Sequence, residues 1–318
     1  EGMKRILNVL LSAFFVLFLF TGCGGKQSSD DRLKIVCTIF PQYDFVRQIA
    51  GDSVDLQMLL PYGMESHDYR LENLTAKDME TVMNADIFIY VGGESDRTWV
   101  NELKSTVGGA NVRWLALSDM TETLCIEEHD HEHGNGHTHE HDGEEIDEHI
   151  WTSPLRVIDV VEKICDVLTE LDPENAELYG NGTEKFKSEL SELDDGFRAL
   201  NGMNGETVVF ADRFPFRYLF EDYSIAYAAA FTGCGEGADP SALQIVSLCN
   251  IARECETDTV FYMESSNSAY AETVAGTVGA DCKMLHSCHS VTKAEFKSGA
   301  TYISLMKKNL EILTETVK

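Results

Sequence analysis

Short apolar runs alternate with helical stretches twice along this chain. In the first half, LKIVCTIF, VDLQMLL, DIFIYVGG and NVRWLALS have the length and composition of strands, and PQYDFVRQIAG, TAKDMETVMNA and TWVNELKSTV have helical character. The second half repeats the pattern with TVVFA, SIAYAAAF, TVFYME and DCKML, interleaved with PFRYLFEDY, SALQIVSLCNIAREC and SAYAETVAGTV. Strands joined through helices pair in parallel and are covered on both faces. The chain therefore predicts an α/β protein of two lobes, residues 33–154 and 205–318, each a mainly parallel sheet flanked by helices. Thr75 and Asp78 form a capping-box pattern, and Gly51 suits a helix C-terminus.

Residues 155–204 read as a helical connection between the lobes. Phe186, Leu190, Leu193, Phe197 and Leu200 recur every three or four residues, a helical stripe. Pro173 fits a first helical turn, whereas Gly180 and Gly182 are expected to kink or divide the helix. The segment ATYISLMKKNLEILTETV predicts an amphipathic helix at the end of the chain.

The first residues belong to targeting, not to the fold. Met3-Lys4-Arg5, the apolar run ILNVLLSAFFVLFLF and the small-residue exit TGCGG form a secretory signal over residues 1–22. The apolar run is short for a transmembrane helix. Cys23 ends a stretch resembling a bacterial lipobox, with Phe20 where leucine is usual, so Cys23 is the expected site of lipidation. Residues 23–32 then form a polar tether.

Net charge is −29, which argues against nucleic acid and anionic lipid surfaces as partners and favours cations. The nine cysteines include no C-x-x-C pair, so neither a zinc ribbon nor a thioredoxin motif is indicated. Disulfides and scattered buried thiols both remain open for the cysteines after Cys23.

The ten histidines carry the functional signal. Six crowd the run EEHDHEHGNGHTHEHDGEE: His129, His131, His133, His137, His139 and His141. This loop, 127–145, has no hydrophobic period and two central glycines, so it cannot build a core. It reads as an accessory metal-collecting loop or as a bland solvated one. Ligands of open parallel sheets sit beyond the carboxyl ends of the strands. That rule selects Glu65 and His67 after VDLQMLL, Asp212 and Arg213 after TVVFA, Glu264 after TVFYM, and His286 and His289 after DCKML. His149, in DEHIWTSPL, closes the long acidic loop. Three imidazoles with one oxygen suit zinc (Zn2+), whereas calcium and magnesium prefer shells of oxygen alone.

The stretches PYGMESHDYRL, NADIFIYVGG, DEHIWTSPL, FPFRYLFEDYSI and YISLMKKNLEIL resemble the solute-binding proteins of zinc and manganese ABC transporters, over nearly all of the chain beyond the signal. The resemblance implies two α/β lobes joined by one long linker helix, with the metal in the cleft between them. It also implies that His67 and His149 are ligands. In the column where the family carries a third ligand, histidine or glutamate, this chain has Arg213, which stays protonated and cannot ligate. Either Asp212 beside it takes over with a shifted loop, or this ligand is lost to water or Glu65. Manganese-type members have an aspartate where His289 stands, and imidazole there shifts the expectation from manganese (Mn2+) to zinc. His286 is expected to be a neighbour of the site, and Cys288 to point away from it.

The resemblance further implies a lipid-anchored, monomeric protein on the extracytoplasmic face of the bacterial cell membrane. It would deliver metal to an ABC permease and its ATPase. A manganese- or iron-binding member, a surface zinc buffer or adhesin, and a zinc hydrolase are the competing readings. The hydrolase lacks sequence support: there is no H-E-x-x-H helix, G-x-S-x-G elbow or phosphate-binding glycine loop.

Overall fold

The alternation of the sequence produces two four-stranded parallel sheets in the computed structural model, which describes residues 32–126, 146–200, 207–231 and 240–316. The first sheet is built from β1 (Lys34–Cys37), α1 (Phe40–Ala50), β2 (Asp55–Met58), α2 (Ala76–Met83), β3 (Ile87–Tyr90), α3 (Glu94–Thr106) and β4 (Arg113–Ala116). Its strand order is β2-β1-β3-β4, with Val36 opposite Gln57 on one side and Phe88 on the other. Helices α4 (Pro154–Leu171) and α5 (Ala176–Ala199) follow.

The second sheet repeats the plan with β5 (Val208–Phe210), α6 (Arg217–Asp222), β6 (Tyr227–Ala229), α7 (Ala242–Glu254), β7 (Thr259–Met263), α8 (Ala269–Val278) and β8 (Asp281–Leu285). Its order is β6-β5-β7-β8. Helices α9 (Lys293–Lys297) and α10 (Tyr302–Thr316) complete the described chain. Central strands β1, β3 and β5 are almost wholly buried, which is why they read as unbroken apolar runs.

Helix α5 corrects one expectation. It runs unbroken through Gly180 and Gly182. A Cβ on Gly182 would lie 2.1 Å from the carbonyl oxygen of Ile49, so this glycine lets α5 rest directly on the end of α1. The residue that weakens the helix locally permits its closest packing. Pro173 sits in a 3-10 turn just ahead of α5, and the Thr75–Asp78 capping box is formed.

The main hydrophobic cluster does not stop at a lobe boundary. It runs from Ile35 and Phe88 through Leu190 and Phe197 to Phe210, Tyr302 and Leu313. A smaller cluster around Val209, Leu248, Val260 and Val274 lies within the second half alone. Helix α10 turns back on α1, where the Tyr302 amide donates to Asp44 (2.6 Å) and Arg47 donates to the Ala300 carbonyl (2.8 Å). The described cysteines are all unbridged. No helix among the described residues is long and apolar enough to cross a membrane. The signal, Cys23 and its tether, and the dense histidine run lie outside the described residues.

Candidate metal centre

Three loops bring three distant histidines together. His67 lies in a 3-10 turn, Ser66–Asp68, beyond the carboxyl end of β2. His149 precedes the turn Ile150–Thr152 that leads into α4, and His289 lies in the loop beyond β8. One nitrogen from each falls within 4.8 Å of the others. Ring centroids are 5.4 Å apart for His67 and His149, 5.3 Å for His67 and His289, and 5.8 Å for His149 and His289. The Nε2 atoms of His67 and His149 are 3.4 Å apart.

Burial disfavours protonation of His67 and His289. His67 is pushed down to about 3, first by burial, then by His149 and by the cations of Arg213 and Arg70. Burial holds His289 well below the usual imidazole range, with His67, His149 and Arg213 adding to the effect. One nitrogen from each of the three rings is thereby available to a single divalent cation. The cluster thus fits a metal ion.

The rings of His149 and His289 are oriented by their surroundings. His149 Nδ1 lies 2.9 Å from Asp147 Oδ1, which also accepts from the His149 amide at 2.9 Å. A carboxylate there fixes the Nδ1–H tautomer and turns Nε2 towards the cluster. Tyr218 Oη in turn donates to the Asp147 carbonyl (2.9 Å), and the Cys125 amide donates to Tyr218 Oη (3.1 Å). His289 Nε2 faces Ser66, whose amide lies at 3.0 Å and hydroxyl at 2.9 Å. Its loop is held by Glu264, which accepts from the Ser287 amide (2.8 Å) and hydroxyl (2.6 Å), while Ser287 Oγ accepts from the His289 amide (3.1 Å).

The NADIFIYVGG stretch has a structural part in this. Asp96 accepts from the amides of Val91 (2.7 Å) and Gly92 (3.0 Å), and Glu148 accepts from the Ser95 amide and hydroxyl. A Cβ on Gly93 would lie 2.2 Å from the Glu148 side chain, so glycine there admits the acidic residue beside His149. Burial and the neighbouring Glu148 raise the Asp96 carboxyl to about 7.

The two oxygen candidates are engaged elsewhere. Asp212 accepts from the Arg213 amide at 2.7 Å and the Met263 amide at 3.2 Å, and it is not part of the three-histidine group. Glu65, 5 % exposed, is gripped by the Arg213 guanidinium at 2.8 and 3.3 Å and accepts a third bond from Ser265 Oγ. His286 stands outside the cluster, between Glu264 (3.4 Å) and Glu295 (3.7 Å). Cys288 is fully buried with its thiol pushed far up, and its positive φ of 60° lets neighbouring side chains diverge.

Trp151 closes the back of the site. Its ring lies 5.4 Å from His149 and 5.2 Å from His289, and its indole N–H donates to the Ser287 carbonyl at 2.9 Å. Together with Gly63 N–H donating to the Val291 carbonyl (3.1 Å), this stitches the His67 and His149 loops to the His289 loop.

The repeated parallel sheets and the imidazole cluster at their strand ends define a solute-binding type of protein with a centre suited to a metal ion. Residues 35–316 match the family described as zinc-uptake complex component A, periplasmic (ZnuA), and the chain belongs to that family. It is 32% identical over 315 residues to the zinc-binding lipoprotein AdcA of Streptococcus pneumoniae, covering 99% of this chain and 61% of that relative's length. It is 30% identical over 296 residues to the high-affinity zinc uptake system protein ZnuA of Bacillus subtilis, covering 92% of this chain and 90% of the relative. The crystal structure of the Zn(II)-bound ZnuA-like domain of S. pneumoniae AdcA superposes with a TM-score of 0.72 at 28% identity, covering 90% of this chain and 99% of the domain.

Proposed function

We propose that this protein is an extracytoplasmic zinc-binding lipoprotein that captures Zn2+ and delivers it to an ABC permease and its ATPase. The observation that carries the reading is the convergence of three imidazole nitrogens, from His67, His149 and His289, out of three separate loops. Nitrogen donors favour zinc over manganese, which prefers carboxylate and water. The names of the relatives agree with this cargo. With Asp212 and Glu65 bonded elsewhere, three nitrogens are the donor set that the described residues bring together.

The chemistry is capture and not catalysis. A zinc hydrolase needs a free general base beside the metal, whereas the Glu65 carboxylate is already held by Arg213 and Ser265. The core shared between the halves favours uptake with small lobe movements. The lipid on Cys23, the monomeric state and the metal-collecting role of the run from His129 to His141 complete the proposal.

Chelator competition on the full chain tests it. His149→Ala and His289→Ala should each weaken tight zinc binding by at least about tenfold, the scale of losing a ligand or its support. Wild-type affinity in both variants would sink the assignment. Metal content of protein purified without added metal distinguishes zinc from manganese.

A further inference from the structure

Arg213 is the anomaly of the site. Its permanent charge lies close enough to His67 and His289 to depress both rings, and a cation there opposes the cargo. Yet the guanidinium is aimed at Glu65 with the fork geometry that matches a carboxylate. Nη1 reaches Oε2 at 2.8 Å and Nη2 reaches Oε1 at 3.3 Å. Ser265 Oγ donates to the same Oε1. Arg213 lies beyond β5 and Ser265 beyond β7, so two donors of the second half hold a carboxylate of the first.

That carboxylate lies only two residues before His67, is buried, and is bonded to the same guanidinium whose charge reaches His67 and His289. Left unheld, a buried anion beside three imidazoles and a divalent cation would turn to the cation. The site would then offer three nitrogens and one carboxylate, a set more welcoming to manganese.

We propose that Arg213 is a specificity-determining residue, which keeps Glu65 out of the coordination sphere and so holds the centre to three protein nitrogens and to zinc. Ser265 assists by occupying the lone pair of Oε1 that faces its loop. The proposal rests on the zinc-capture reading above and adds to it a reason for an arginine where the family resemblance calls for a ligand.

The test compares Zn2+ and Mn2+ affinities of the full-length protein, by chelator competition and by electron paramagnetic resonance of unbound Mn2+. Arg213→Ala should raise manganese affinity relative to zinc by at least about tenfold, the scale of gaining one ligand. Arg213→Ala combined with Glu65→Gln should return the ratio to that of the wild type. A charge effect alone would strengthen both metals together and persist in the double variant, and that result overturns the proposal. An unchanged ratio in Arg213→Ala also overturns it. If Arg213→Ala does not fold, as judged by circular dichroism, Arg213→Lys carries the test. A single ammonium cannot hold both oxygens, so the ratio should move in the same direction, and an unmoved ratio counts against the proposal. Loss of His149 and His289 dependence in the wild type would instead strike the zinc-capture reading, and the two failures are thereby told apart.

Discussion

The two halves of the molecule share one strand order but furnish the centre differently. The first half supplies His67 and His149, and a carboxylate, Asp147, touches the His149 ring directly. The second supplies His289, whose loop is steadied by Glu264 acting through Ser287, while Arg213 pairs with Glu65 of the first half. The two sheets therefore share a strand order, but the side chains that meet at the centre come from ends that do not correspond: β2 in the first sheet, and β5 and β8 in the second. Topology fixes where side chains converge, and loop chemistry decides what they do there.

The comparison can be broken most forcefully at the carboxylates. Asp147→Asn should cost about ten- to a hundredfold in zinc affinity, or about 1.4–2.8 kcal/mol, because the ring loses its orienting partner. Glu264→Gln should cost less, because it touches the His289 loop and not the ring. Equal losses, measured by chelator competition, would show that direct and relayed support are equivalent here.

Acidification should have a smaller effect than ordinary histidines would give. Imidazoles with a pKa near 6.5 lose about tenfold in metal affinity each on going from pH 7.5 to 5.5, through competition with protons. His67, held at about 3, stays neutral across that range, and His289 is depressed in the same direction. Zinc titrations should therefore lose much less affinity from pH 7.5 to 5.5 than the roughly thousandfold that three ordinary imidazoles would give. The metal-free protein should lose stability as pH falls from about 6.5 towards 3, where the unfolded chain takes up protons that the folded rings refuse.

Deleting residues 127–144 should change tight binding least, within about twofold, while removing only extra, weaker sites. Isothermal titration would count both classes. Loss of the tight site in the deletion would mean that the first half depends on its insertion as much as on His149.

Much of this architecture was legible in the sequence because parallel strands buried on both faces leave apolar runs that stand out. The strand-end rule then put His67 and His289 on a short list with Glu65, Asp212, Arg213, Glu264 and His286, and DEHIW marked His149. The partners of those rings were less visible. Ser66 meets His289 across 223 positions and Arg213 meets Glu65 across 148, and no local pattern registers such pairs. A signal for the second was present nevertheless: an arginine in a column expected to hold a ligand demands an acid nearby. Gly182 misled for a related reason, since its cost to the helix is local and its contact with Ile49 is not.

Ile126 and Ile146 form an antiparallel bridge, and the Asp147 amide donates to the Cys125 carbonyl at 2.9 Å beside it. Positions 126 and 146, twenty apart in sequence, are thus pinned to each other immediately ahead of Asp147 and His149. Backbone bonds at this seam set the register in which His149 meets the other two rings.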